Sequence, residues 1–462
     1  MVTFFKGRCS AALPLLLMPV LSVMAQQKYS LTAFVDSSIK YLPTLKQKTA
    51  LINMAKASVN DVKHSFLPQL KFSEQLNIAS NNSMATTFFS FGITPTTSGG
   101  IRSNNSLDAV TANVGVLYSE YELANFGLNN AKLNYTNANV NLQEADLQKE
   151  QYLVSLEVAR LYFNILKNQY RLNADKQNTE RYQRIFTVIQ ALTASGLTAG
   201  ADSSLAKAEL SKTRISYNQT LGRINQLKQQ MAYYTGIIEP QLLLDTLNYN
   251  SINSLPASIN FALDTVSNPL INYYAKKKNI LLVNEMLISK SFLPKILLAS
   301  SFWARGSSIQ FNDDHQSLAT GLGFQRFNYA VGVAFTYNLF NGLYKKDKIA
   351  INRYQIQASD YELQQQKLAL NSSALQAENA LQTTKANLQE LPVQLQSAQA
   401  TFAQKAAQYK AGLISLIDLT NASFVLYRSQ TDYIETLTDW YLAQLDKAAA
   451  TGNLTQFIQT IK

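Results

Sequence analysis

The sequence predicts a mainly α protein with transmembrane β, built as a tandem-repeat protomer of strand pairs and very long helices. Three observations carry this reading. Landmarks of the first half recur in the same order in the second, two stretches run helix-compatible for nearly seventy residues, and one segment alternates cleanly between apolar and small or polar residues.

Self-similarity at a fixed shift is the mark of a repeated architecture. Ser65-Phe66-Leu67-Pro68 returns as Ser291-Phe292-Leu293-Pro294, and Pro43 maps onto Pro269, both shifted by 226. Val114-Gly115-Val116 returns as Val331-Gly332-Val333, shifted by 217. Gly196-Leu197, Asp202 and Thr235-Gly236 match Gly412-Leu413, Asp418 and Thr451-Gly452, shifted by 216. The drop of about ten between the proline and Val-Gly-Val landmarks assigns a longer loop to the first copy. Residues 81–105, rich in Ser, Thr, Asn and Gly, are its natural place. The first repeat is therefore 26–236, with a strand pair at about 66–123 and a helical hairpin at about 128–236. The second is 237–462, with strands at about 292–340, a hairpin at about 342–452 and a short C-terminal tail.

The N-terminus carries the pattern of a secretory signal peptide over residues 1–25. Lys6 and Arg8 precede an apolar run from Ala11 to Met24, and Val23 and Ala25 supply a small-residue cleavage site. Cys9, the only cysteine, lies inside it, so the mature chain has neither disulfide nor thiolate metal site. Cleavage removes Lys6 and Arg8 with no acidic residue and lowers the net charge from +11 to +9. The remaining Lys and Arg are scattered, which argues against nucleic acid as a partner. No later stretch approaches the apolar run of a membrane helix, so a membrane span has to be a β-barrel.

The strand signal is strongest at Phe327–Leu339. Phe327, Tyr329, Val331, Val333, Phe335, Tyr337 and Leu339 share one face, opposite Asn328, Ala330, Gly332, Ala334, Thr336 and Asn338. A lipid-facing barrel strand has this pattern, with aromatics near both interfaces and small polar residues toward the lumen. Val110, Ala112, Val114, Val116 and Tyr118 are expected to repeat it in the first copy. Four strands per chain are too few, because barrels need about eight at the least. The barrel must be shared between chains.

The helices run from Leu128 to Ser195 and from Tyr344 to Ala411, the second interrupted only by Pro392. At ~1.5 Å per residue each is a rod of about 100 Å, stable in water only with coiled-coil partners. Ala374, Leu381, Leu388, Leu395, Phe402 and Tyr409 hold heptad spacing, beside Leu370, Ala377, Thr384, Leu391 and Ala398. Val140, Leu147, Val154 and Leu161 do the same in the first copy. Pro392 removes one helix hydrogen bond and is expected to kink its rod.

A signal peptide, duplicated strand pairs and two long hairpins with Gly-Leu tips resemble the TolC family of outer-membrane efflux proteins over essentially the whole mature chain. The resemblance implies a homotrimer with a twelve-stranded barrel in outer-membrane lipid, continued by a periplasmic helical tunnel. It implies a periplasmic adaptor protein and an inner-membrane pump of RND or ABC type as partners, with no catalysis and no cofactor. It places the adaptor-facing surface at Gly196, Leu197, Gly412 and Leu413. It places the pore constriction at Asp418 and at Asn421, where the family's second aspartate is replaced. Tyr409 and Asp202 match an iris-closing link, whereas Ile414 stands in place of the arginine of a second link. Asp418 also suits the first turn of a helix, where a carboxylate favours the dipole, and Tyr409 also suits a heptad seam. Export of small molecules, type I protein secretion and, in another class, a non-pore periplasmic coiled-coil scaffold are the functions to be separated.

His64 and His315 have no ligand pattern around them, Gly321-Leu322-Gly323 lacks the context of a dinucleotide loop, and no strand-elbow signature marks a nucleophile. An enzyme is not indicated.

Overall fold

The computed structural model describes residues 28–80, 82, 104–238, 243–244, 268–310 and 314–461. The expected signal peptide, with Cys9, and nearly all of the expected loop at 81–105 lie outside the described residues.

The long uninterrupted stretches form α3 (Leu128–Ala194) and α6 (Asn341–Lys410), and the return helices are α4 (Gly200–Thr235) and α7 (Leu416–Ala450). Neither return helix matches its rod: α4 has 36 residues against 67, and α7 has 35 against 70. The remaining half of each rod is covered by α2 (Pro43–His64) and α5 (Pro269–Ser291). Because α3 also packs on α5 and α7, the rods lie side by side as α2/α4, α3, α5/α7 and α6.

The same order runs through the sheet. Strands β2 (Gln69–Ala79), β3 (Val110–Ala124), β5 (Lys295–Ser307) and β6 (Arg326–Thr336) pair antiparallel in the order β2-β3-β5-β6. β2 and β5 leave α2 and α5, while β3 and β6 feed α3 and α6. The duplicated Ser-Phe-Leu-Pro makes the helix-to-strand turn twice over. Ser65 Oγ donates to the Val62 carbonyl at 2.7 Å and Ser291 Oγ to the Ile288 carbonyl at 2.8 Å, and the proline then forbids further helix.

A large apolar cluster sits about halfway down the rods. The middle of α3 (Val158, Tyr162, Phe163, Ile165) meets α1 (Leu31–Tyr41), the ends of α4 and α7, and α8 (Leu454–Thr460). The expected tail is thus a core element: Phe457 is 0 % exposed and lies near Phe163, which stacks on Tyr441 at 5.4 Å. A two-residue parallel pair, β1 (Lys28–Tyr29) with β4 (Leu243–Leu244), has no counterpart in the sequence reading. Below this cluster the expected seams pack as coiled coils. Leu388 and Leu391 meet Tyr433, Leu437 and Trp440, and Leu395 and Ala398 meet Leu426. α6 runs through Pro392 without a break.

Candidate functional site: the barrel faces and the helical tips

In an antiparallel sheet, residues directly opposite one another point to the same side, so the register sorts the four strands into two faces. Phe327, Tyr329, Val331, Val333 and Phe335 align through Phe302 and Leu298 of β5 with Leu117 and Tyr121 of β3. They continue to Leu70, Phe72, Leu76 and Ile78 of β2. This apolar face is exposed across β2 and β6. The opposite face carries Lys71, Ser73, Gln75, Ser301, Arg305, Asn328, Ala330, Gly332 and Thr336.

Two expectations are corrected here. Val110, Ala112, Val114, Val116 and Tyr118 belong to the polar face, because Val114 pairs with Gln75 and Arg305 and Val116 with Ser73 and Trp303. The cause lies on the apolar side. The segment around Leu318–Leu322 folds back over the far end of β3, where Thr111 Oγ1 donates to the Leu318 carbonyl at 2.5 Å and Asn113 Nδ2 to the Leu322 carbonyl at 2.8 Å. A Cβ on Gly115 would stand 2.8 Å from the Phe324 ring. The covered face needs small and polar residues, which inverts the alternation. The second correction concerns the end of the strand. Tyr337 and Leu339 follow β6 rather than belong to it, because Asn338 Oδ1 accepts from Phe340 N–H at 2.9 Å and turns the chain into α6.

At the other end of the molecule the two hairpin tips are built alike. Gly196 and Gly412 have φ of 75° and 73°, a region that favours glycine. The following residues close matching six-residue caps, with Leu197 N–H on the Leu192 carbonyl at 2.9 Å and Leu413 N–H on the Gln408 carbonyl at 3.0 Å. The cap leaves both leucines outside, 73 % and 74 % exposed.

Asp418 is the third residue of α7 and closes a capping box with Ser415. Its Oδ2 accepts from Ser415 Oγ at 2.7 Å and from Ser415 N–H at 3.2 Å, and these bonds hold the carboxyl below the usual aspartate range. Asn421 lies one turn on, exposed on the same side, and Ile414 is half-buried in the turn. Tyr409 packs on Ile189, Ala206 and Leu416, joining the two tips. Burial raises its phenol above the ordinary tyrosine value, and the neighbouring Asp202 charge adds to the shift. No hydrogen bond joins Tyr409 to Asp202 within the chain.

A polar node that the expected site residues do not include lies above the tips. Asp175 of α3 is 1 % exposed and accepts from Thr220 Oγ1 (2.6 Å) and Ser216 Oγ (3.2 Å) of α4 and from Tyr427 OH (2.5 Å) of α7. One carboxylate thus ties three helices together. Its signal was present, since Asp175 falls two heptads after Leu161, a polar residue in an apolar register. Among the described residues no group of His, Cys, Asp or Glu could hold a metal ion, and no helix is long and apolar enough to cross a membrane.

The comparisons with known proteins agree with this architecture. The profile of a family described as outer membrane efflux protein matches residues 35–236 and 291–453. The outer membrane protein TolC of Escherichia coli K12 is 19 % identical over 423 residues, covering 90 % of this chain and 80 % of its own. Among solved structures, the transmembrane channel CusC superposes with a TM-score of 0.75 at 15 % identity, covering 92 % of each chain. The CmeC outer membrane channel of Campylobacter jejuni gives 0.72 at 15 % identity, over 94 % of this chain and 90 % of that one.

Proposed function

The chain belongs to the outer membrane efflux protein family, and from that premise we propose that three copies form the outer-membrane duct of a tripartite exporter. The observation that carries this reading is the match between sheet and rods. Four strands and four helical rods follow one another in the same lateral order, and both edge strands, β2 and β6, have one side unpaired among the described residues. An open sheet with an apolar face is unstable in lipid until its edges pair with another copy.

The outer rod supports the same closure. Tyr354, Tyr361, Leu368 and Leu375 recur at heptad spacing on the free side of α6 and are all exposed in the single chain. At the far end of the chain's order, α2 presents Ala50, Met54 and Ala57 on its exposed side. Large knobs on one edge, and on the other two alanines flanking the flexible Met54, suit a closed ring of rods. A periplasmic scaffold without a pore has no use for a four-stranded sheet that is apolar on one face.

Within the duct, the apolar strand face meets outer-membrane lipid and the polar face lines the lumen. Asp418 and Asn421 form the narrow periplasmic entrance, where one side chain per copy becomes a ring of three. Tyr409 with Asp202 helps hold the entrance shut, and the exposed Leu197 and Leu413 receive a periplasmic adaptor that couples the duct to an inner-membrane pump. The cargo is small molecules, moved passively through the duct with energy supplied by the pump. The test is purification from gently solubilised membranes under mild cross-linking. An adaptor and a drug-type pump should co-purify, and Leu197→Asp with Leu413→Asp should release them. Recovery with a peptide-secreting transporter would redirect the cargo to protein. Recovery of a soluble monomer would overturn the duct.

A further inference from the structure

Arg305 of β5 and Arg326 of β6 stand directly opposite one another in the sheet. Both are exposed; neither takes part in an ion pair with a described residue, and Arg326 Nη1 donates to the carbonyl of the adjacent Gln325 at 3.2 Å. Like charges in register weaken a sheet, so the pair is not there to hold the strands together. The register puts both arginines on the polar face, with Gln75, Val114, Trp303 and Asn328 as neighbours and no carboxylate at that level. Glu74, the acidic residue nearest in register, points to the apolar side and accepts from Asn113.

The opposite end of the same face is built differently. There Lys295 is paired with Glu122 at 2.9 Å, and Tyr118 donates to Glu120 at 2.8 Å. Because β5 leaves α5 at Lys295, that end is the periplasmic one, and Arg305 lies ten residues on, about 33 Å along the strand. The charge at the helix side of the barrel is compensated, while the charge at the outer mouth is not.

We propose that Arg305 and Arg326 make the outer mouth of the duct an anion-binding vestibule, a role opposite in sign to that of the Asp418 ring at the entrance. This rests on the reading of the chain as a trimeric duct, in which two arginines per copy give a belt of six. The two guanidinium groups of one copy stand on adjacent strands, about 5 Å apart at the backbone and so within the Debye length of about 10 Å at 0.1 M salt, and three such pairs around one lumen give it a positive mouth. The ligands that fit are soluble anions bearing several charges, such as polyphosphates and polycarboxylates, because the face looks into the lumen and away from lipid. Guanidinium forks match the oxygens of both groups.

The test uses the purified full chain in planar bilayers of neutral phosphatidylcholine, with inorganic tripolyphosphate as the probe. Added on the outer side, it should reduce the current of the wild type, and R305Q/R326Q should need about tenfold more for the same block. R305K/R326K should keep most of the block, and R326E alone should abolish it. Block from the periplasmic side should be weak in every variant. Equal block of the wild type and R305Q/R326Q would overturn the proposal. Absence of block in a conducting wild type would also overturn it, and would mean that nearby acidic residues such as Asp108 and Asp314 cancel the belt. A protein that forms no channel at all would instead overturn the duct reading. The unitary conductance of R305Q/R326Q reports separately that its barrel has formed.

Discussion

Ser415 and Asp418 cap one another at the start of α7, with the serine hydroxyl 2.7 Å from the carboxylate that shares its turn. One residue therefore carries two roles, an N-terminal cap and a charge at the proposed entrance, and two substitutions separate them. Asp418→Ala removes both, so block by a multivalent cation added from the periplasmic side should weaken about tenfold. Ser415→Ala removes the cap alone and should cost about 1 kcal/mol of helix stability while leaving the block in place. Because the hydrogen bonds to Ser415 depress the carboxyl, the charge should survive as the pH falls to about 4, the ordinary aspartate midpoint. Bilayer recordings at stepped pH check both points. Unchanged block in Asp418→Ala would remove the residue from the entrance.

Tyr409 lies at the junction of the two tips, packed on Ile189 and Leu416 with the Asp202 charge close by. Tyr409→Phe keeps the packing and removes the hydroxyl. Resting conductance should rise if the phenol helps close the entrance, and an unchanged value would leave Tyr409 as a seam residue.

Asp175 gathers hydroxyls from two other helices, so its loss and the loss of its donors should differ in size. Tyr427→Phe removes one bond to a buried charge and should cost about 1.5–3 kcal/mol. Asp175→Ala removes the acceptor shared by Thr220, Ser216 and Tyr427 and should cost more. Thermal unfolding of the assembled protein reads both, and a Tyr427→Phe variant as stable as the wild type would show that the bond contributes nothing net.

The pH dependence of stability has a specific source where α2 meets α3. Burial pushes the Asp146 carboxyl up, but hydrogen bonds from Lys149 (2.6 Å) and Lys48 (2.5 Å) outweigh it and hold the group below the usual range. A carboxyl depressed in the folded state stabilises above its unfolded pKa, near 3.9, and that contribution is lost as the pH falls through the folded value. Asp146→Asn should therefore cost about 1–2 kcal/mol at pH 7, and its difference from the wild type should shrink below about pH 4. A cost independent of pH would trace the effect to packing instead.

How much was legible in the sequence depended on whether one physical demand governed a position. β6 could be read because it is exposed along its whole length, so no contact from a distant segment interrupts its alternation of apolar and small or polar residues. β3 was assigned to the wrong face because Thr111, Asn113 and Gly115 also serve the overlying Leu318–Phe324 segment, a contact between parts of the chain about 200 residues apart. The heptads of α6 were plain, since Leu388 and Leu395 each meet one partner helix. The tail and Asp175 were missed for a different reason. Their meaning lies in which helices converge on them, and spacing along the chain does not report that convergence. The Gly-Leu tips were visible because a positive φ leaves a direct mark on residue choice.

The central claim is that the open sheet closes only when copies of the chain join edge to edge. Native mass measurement of the detergent-solubilised protein, made on particles that conduct in bilayers, tests it most directly. A conducting particle of three chains is the predicted result; a single chain that conducts would contradict it.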